Sequence, residues 1–406
     1  MRAPKLLCVV STIDLDFRYG ATPAWWQIWK GMYEAGVDVI LTPYRGRPIT
    51  APWWRTEPNP CYREGELFAR TQRLAAGMRG DTHIRRPEEN PEESLGERGS
   101  RELIRRYVTP RWQRHLERVL ERERDVDAVV VFTVPMSHLR GIPTALRERF
   151  GVPIVYYDAD MPMSLPEYGG GDTAGFNTYR GADPSEYDLV LSNSEGALTR
   201  IRELGAKRAE ALFLGADPEL FAPLPVEKEH DVFYYAYGDK FRRDWIGELI
   251  GEPSKRLASV DFVLGGTDFR GDIGRARELK YFPVNQLSRV ISASRINVNI
   301  ARRPHAEIYG SSTSRLFELA AAGAAIVSNP NEGIERWFEP GRELLVASNA
   351  DEAVEAYEGL LDDPQAAADL GRRARERVLE EHTFADRARQ LLDLVGVGSS
   401  STATAS

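Results

Sequence analysis

Short apolar runs bounded by polar loops recur along the chain, and between them apolar residues return every three or four positions. KLLCVVST at 5–12 predicts a buried strand ending in the polar loop IDLDFRYGATP at 13–23. AWWQIWKGMYEAG at 24–36 predicts a helix with Gly36 near its stop, and VDVILTPY at 37–44 a second strand. Further strands are predicted at DAVVVFTVP (127–135), VPIVYYDAD (152–160) and DLVLSNS (188–194). Apolar runs joined by helices are the pattern of parallel sheets covered on both faces, and so of an α/β fold.

A second set of the same kind begins at DVFYYAYG (231–238) and continues through VDFVLGG (260–266), RINVNI (295–300), AAIVSNP (324–330) and ELLVA (343–347). Between the sets, LFLGADPELFAPLPVEKEHD at 212–231 combines prolines with a charge run and reads as a linker. The expected organisation is two doubly wound, Rossmann-like domains facing a central cleft, spanning 1–222 and 223–380. A C-terminal helix at 381–396 is expected to cross back to the first domain, and a small, polar, disordered tail to occupy 397–406. From Asp351 to about Leu394 the pattern is helical, with a break near Asp363-Pro364. Residues 79–100 are charged and bear Pro and Gly, which predicts a surface insertion, followed by an Arg/Glu-rich helix to about Asp125.

The 406 residues suffice for two or three cores, and 42% hydrophobic with 28% charged residues describes an ordinary globular protein. The formal net charge of -8 argues against nucleic acid as the main partner. The two cysteines, Cys8 and Cys61, form no CxxC pair, so a thiolate metal site is not expected and a reducing, cytoplasmic setting fits. No apolar stretch is long enough to serve as a transmembrane segment, and the first apolar run, closed by Asp14 and Asp16, is too short for a signal peptide.

Ligands of doubly wound sheets sit beyond the C-terminal ends of the strands, so polar residues there are the site candidates. Ser311-Ser312-Thr313-Ser314-Arg315-Leu316-Phe317-Glu318 reads as a polar loop entering a helix that Gly323 stops. A helix end with unpaired N–H groups and a positive dipole suits a phosphate, and a carboxylate behind it suits the two adjacent hydroxyls of a ribose. The alternative is a capped surface helix with an ordinary glutamate. Gly238 in a tight turn, with Arg242 and Arg243 beyond it, would meet a diphosphate, with Arg243 favoured. Phe282, before a predicted helix, would wall a base. Arg302, Arg303 and His305 are expected in a long polar loop. In the first half, Asp16, His138 and Asp160 lie at strand ends and are the candidate general bases for an acceptor hydroxyl. Asp158-Ala159-Asp160 has the DxD form of a metal site, but alternate strand residues point to opposite faces, so no metal is expected.

YDLVLSNSEGALTRIRELGAKRAEALFLGADPELFAP (187–223), SSTSRLFELAAAGAAIVSNPNEGIERWFEPGRELLV (311–346) and HTFADRARQLL (382–392) resemble glycosyltransferases of two-Rossmann-domain (GT-B) architecture, in particular the CgeB-like group and the group 1 family. The resemblance implies metal-independent transfer of a sugar, in the hexosyltransferase class, from a nucleotide-diphosphate sugar to an acceptor hydroxyl on a small molecule, glycan or protein, with no further cofactor. It implies that Glu318 binds the donor ribose, that the amides of Gly310, Ser311, Ser312, Thr313 and Ser314 face the pyrophosphate and sugar, and that Arg243 meets the diphosphate. Related retaining enzymes carry an E-x7-E pattern whose first glutamate would fall at Gly310. This departure leaves retention or inversion open, and with it the role of Asp16, His138 or Asp160 as base. A nucleotide-sugar epimerase and a non-catalytic sugar-nucleotide binding protein are the alternatives.

Overall fold

The computed structural model describes residues 2–13, 24–67, 95–168, 177–238, 240–267, 269, 271–279 and 286–397. The chain divides into two compact units, one of Met1–Asp14, Met32–Leu212 and Ala388–Ser406, the other of Leu15–Gly31 and Phe213–Arg387. Among the described residues no helix is long and apolar enough to cross a membrane.

The first unit is built on a parallel sheet of order β3-β2-β1-β4-β5-β6-β7. Its strands are β1 (Lys5–Thr12), β2 (Asp38–Arg45), β3 (Arg55–Thr56), β4 (Ala128–Phe132), β5 (Ile154–Asp158), β6 (Leu189–Ser192) and β7 (Ala209–Ala211). In the register, Leu7 sits between Ile40 and Val129, all buried, which is why these runs are apolar at consecutive positions. Helices Thr109–Arg122 and Ile142–Phe150 cover the sheet through Trp112, Leu116, Val119 and Leu146. The second unit holds a parallel sheet of order β10-β9-β8-β11-β12-β13, from β8 (His230–Tyr237), β9 (Phe262–Thr267), β10 (Arg277–Glu278), β11 (Ser294–Asn299), β12 (Ala325–Ser328) and β13 (Leu345–Val346). Both sheets reverse strand order once, between β1 and β4 and between β8 and β11. The doubly wound α/β class expected from the sequence is therefore what the chain adopts twice.

Several local expectations are corrected. Of the insertion expected at 79–100, residues 79–94 lie outside the described residues, and the remainder opens the helix Leu95–Tyr107. That segment contains no proline and is rich in good helix formers, so its polarity signals an exposed face rather than a loop. The expected helix to Asp125 is two helices: Thr109–Arg122 starts anew at Thr109-Pro110, where proline lacks the N–H a continuing helix needs. Arg303–Glu307 is a short helix with Pro304 in its first turn, not part of a loop. The C-terminal helices are three, Ala350–Asp362, Pro364–Glu381 and Phe384–Val395. Asp363 breaks the first pair and caps the second helix through Gln365 and Ala366 N–H. The second break, at His382-Thr383, is made by the Thr383–Asp386 capping bonds. Of the polar tail, residues 398–406 lie outside the described residues.

Candidate active site

In the second unit the polar groups at the strand ends form a lattice. The Asn299 amide donates to Ser328 Oγ at 2.9 Å, and Asn329 Oδ1 accepts from Ala301 N–H at 2.8 Å. These bonds fix the exit of β11 beside that of β12. The Arg242 guanidinium then donates to the carbonyl of Ile300 at 3.0 Å. Gly238, buried at the end of β8, donates its N–H to Thr267 O at 2.8 Å.

From β11 the chain passes through the Arg303–Glu307 helix to Gly310, which has φ +61° and donates its N–H to Glu332 O at 2.8 Å. Gly333, with φ +86°, faces it so closely that a Cβ there would stand 2.5 Å from Gly310 N. Position 310 is thus held in a left-handed conformation against a second glycine, a backbone that disfavours a glutamate there. Ser311 Oγ donates to Ile308 O at 2.8 Å, and Ser312 Oγ accepts from Leu214 N–H at 2.9 Å. Both serines are fully buried. Their hydroxyls brace the loop, whereas the sequence pattern suggested a cap, and Thr313, the N-cap residue, is extended and makes no side-chain cap bond. The helix Ser314–Ala321 therefore starts without a bond from its N-cap side chain to its first amides. Gly323, at φ +67°, ends it as expected.

Glu318 lies one turn inside that helix, on its buried face, 1% exposed. Its Oε1 accepts from Gln27 Nε2 at 2.9 Å and its Oε2 faces Arg315 Nε at 3.5 Å. Burial pushes the carboxyl above its ordinary value, opposed by the Arg315 charge and by the bonds from Gln27 and Arg315. The Arg315 guanidinium lies 4.1 Å above the Tyr235 ring, near the C-terminal end of β8. Arg315 and Glu318 thus stand at the switch point of the second sheet, where β8 meets β11. Arg243, expected to meet a diphosphate, opens the four-residue helix Arg243–Ile246 and is exposed, while Arg242 is the one tied to the strand-end loop. Phe282 lies outside the described residues.

In the first unit the candidate bases are placed differently. Asp16 lies outside the described residues. His138 sits in the turn Met136–Leu139, buried, with Nδ1 2.8 Å from Tyr44 Oη. Burial, aided by Arg45, lowers its pKa to about 3, so the ring is neutral near pH 7 and a weak proton acceptor. Asp158 is fully buried and accepts from Ser164 Oγ at 2.7 Å, Tyr179 Oη at 3.0 Å and Asp160 N–H at 3.1 Å. Burial raises it to about 6. It closes its own loop, leaving the half-buried Asp160 as the more accessible carboxylate of the pair. Among the described residues no three His, Cys, Asp or Glu side chains group as metal ligands.

The sequence reading missed Gln27, Tyr235 and the Asn299–Ser328–Asn329 lattice. Asparagine and serine at consecutive strand ends were a readable signal for the lattice, but nothing local marked Gln27 or Tyr235.

Residues 242–393 match a family model described as glycosyl transferase-like. No curated protein matches the chain in sequence. Among solved structures, the sucrose-phosphate synthase of Thermosynechococcus elongatus superposes with a TM-score of 0.62 at 17% identity, covering 96% of this chain and 98% of that one. The trehalose-6-phosphate synthase OtsA gives 0.60 at 12% identity, covering 97% and 99%. Anabaena HepE in complex with UDP-glucose gives 0.57 at 11% identity, covering 97% and 99%. Residues 242–393 thus carry the match to a glycosyl transferase-like family model, and the chain as a whole shares the fold of these structures, two Rossmann-like domains of the GT-B type.

Proposed function

We propose that the protein transfers a hexosyl group from a nucleoside-diphosphate sugar to an acceptor hydroxyl without a metal ion, as a member of the CgeB-like group. The acceptor oxygen forms a bond to the anomeric carbon, and the bond from that carbon to the diphosphate breaks. The diphosphate leaves with the electron pair, and the acceptor proton passes to a base. Asp160 is the candidate base, since His138 is buried and a weak acceptor. The observation that carries the reading is the Arg315–Glu318 pair at the switch point of the second sheet. In it Arg315 meets the diphosphate beside the first amides of the Ser314–Ala321 helix, and Glu318 accepts from the ribose diol. The leaving group is then stabilised by the helix end and a guanidinium in place of a metal. UDP-glucose bound to HepE makes a uridine donor the first to try.

Calorimetry with uridine, guanosine, adenosine and thymidine diphosphates tests the donor. One of them is expected to bind, and Glu318→Ala to weaken it by one to two orders of magnitude, on the order of 1.5–3 kcal/mol for a lost charged hydrogen bond. Unchanged affinity in that variant would remove the assignment. Transfer activity is expected to survive EDTA; loss restored by manganese would put a metal back into the mechanism.

A further inference from the structure

Glu318 is tied to a part of the chain far from it in sequence, and the tie is buried on both sides. Gln27, 0% exposed, comes from the helix Ala24–Glu34 and lies with Glu318 in the second unit. Its Oε1 accepts the backbone N–H of Asp217 at 2.8 Å. A backbone N–H cannot act as an acceptor, so this bond fixes which way the amide faces: the NH2 group points to Glu318 and donates. Asp217 is in turn held by Lys30, whose Nζ lies 3.1 Å from Asp217 Oδ1 and 3.0 Å from Glu219 Oε2. The result is a chain, Lys30–Asp217–Gln27–Glu318, in which each member sets the next.

We propose that Gln27 is a positioning residue for donor binding, which orients the Glu318 carboxylate towards the ribose through a single fixed N–H donor. This rests on Glu318 being the ribose ligand. Gln27 is no displaceable stopper: swinging it away would strand the Asp217 N–H and the Gln27 amide unpaired in a buried site. The ribose therefore approaches from the side of Arg315, the partly exposed partner of the same carboxylate. Among the described residues, the charged groups that bear on Glu318 are Arg315 on its own helix and, behind Gln27, Lys30 with Asp217 and Glu219.

The test is binding of uridine diphosphate, or whichever diphosphate the screen selects, by calorimetry from about pH 5 to pH 8. Gln27→Met keeps the length but removes the donor, and is expected to weaken binding about tenfold, with the loss deepening as pH falls and Glu318 protonates more readily. Gln27→Glu restores an acceptor for Asp217 but sets a second carboxyl against Glu318. Its binding is expected to change with the opposite sign, weakening as pH rises. In a Glu318→Ala background Gln27→Met is expected to have no further effect. Three outcomes overturn the proposal: normal affinity of both Gln27 variants at every pH, equal pH dependence of the two, or an additive loss in the double variant. Normal binding by Glu318→Ala alone would instead overturn the ribose assignment on which the proposal stands. Melting temperatures do not arbitrate, since both roles stabilise the fold.

Discussion

The two sheets share a topology and differ in what their strand ends do. In the first unit, Asp158 spends its oxygens on Ser164, Tyr179 and Asp160, and the His138 ring is turned into the core beside Tyr44. In the second, loop-bracing falls mostly to neutral groups, Asn299, Ser328, Asn329 and two serine hydroxyls, with the Arg242 guanidinium beside them. That leaves a guanidinium and a carboxylate, Arg315 and Glu318, at the switch point. Position at a strand end therefore does not make a residue functional. What separates the two cases is whether mostly neutral groups close the loops or a charged group does so itself.

The largest expected effect is on the second unit: Glu318→Ala should cost one to two orders of magnitude in nucleotide affinity by calorimetry. An equal loss from Asp158→Asn would erase the contrast, because that change is expected to leave nucleotide affinity intact. The first-unit pair should instead register in stability, with opposite pH slopes. Burial raises Asp158 from its ordinary 3.8 to about 6, so folding favours the protonated form, and its contribution is full at low pH and declines as pH rises through 6. Burial lowers His138 from its ordinary 6.5 to about 3, so folding favours the neutral ring, and that contribution is present above 6.5 and lost as pH falls towards 3. Urea denaturation between about pH 4 and pH 7 should show Asp158→Asn gaining on the unaltered protein as pH rises, and His138→Gln gaining as pH falls. Each change should be on the order of 2 kcal/mol.

A smaller effect separates Arg315 from Arg243. Arg315→Lys should weaken diphosphate binding about tenfold, because an ammonium neither stacks flat on Tyr235 nor keeps the planar fork that meets a phosphate. The exposed Arg243, changed to Lys, should alter it by less than about twofold. Gly323→Ala should act on stability alone. The added methyl would meet only Arg375 and Pro223 at 3.9 Å, so the cost is the left-handed backbone alone, about 1–2 kcal/mol in thermal or chemical unfolding.

The strands and the doubly wound class were legible because both rest on local patterns. Runs such as VVVF and IVYY are apolar at consecutive positions only if both faces are covered, and Gly36 and Gly323 stop helices through their own backbone freedom. The break at Thr109-Pro110 was also local, but an Arg/Glu-rich periodicity on both sides concealed it. In the site, the sequence marked Glu318, Arg315 and the serine loop, yet assigned the serine hydroxyls to a helix cap. Their partners, Ile308 O and Leu214 N, are fixed by the path of the loop and by a segment far away in the chain.

Sequence alone determined that this chain forms two parallel sheets, and that a carboxylate and an arginine share one short helix at the end of a strand, because periodicity and spacing along a helix are local geometry. Only the tertiary structure decided that Arg315 lies on Tyr235, that Gly310 is pressed against Gly333, and that Glu318 takes its proton donor from Gln27, 291 positions away. Those pairings depend on where strand order reverses and which helix returns to which sheet, and no local pattern encodes them.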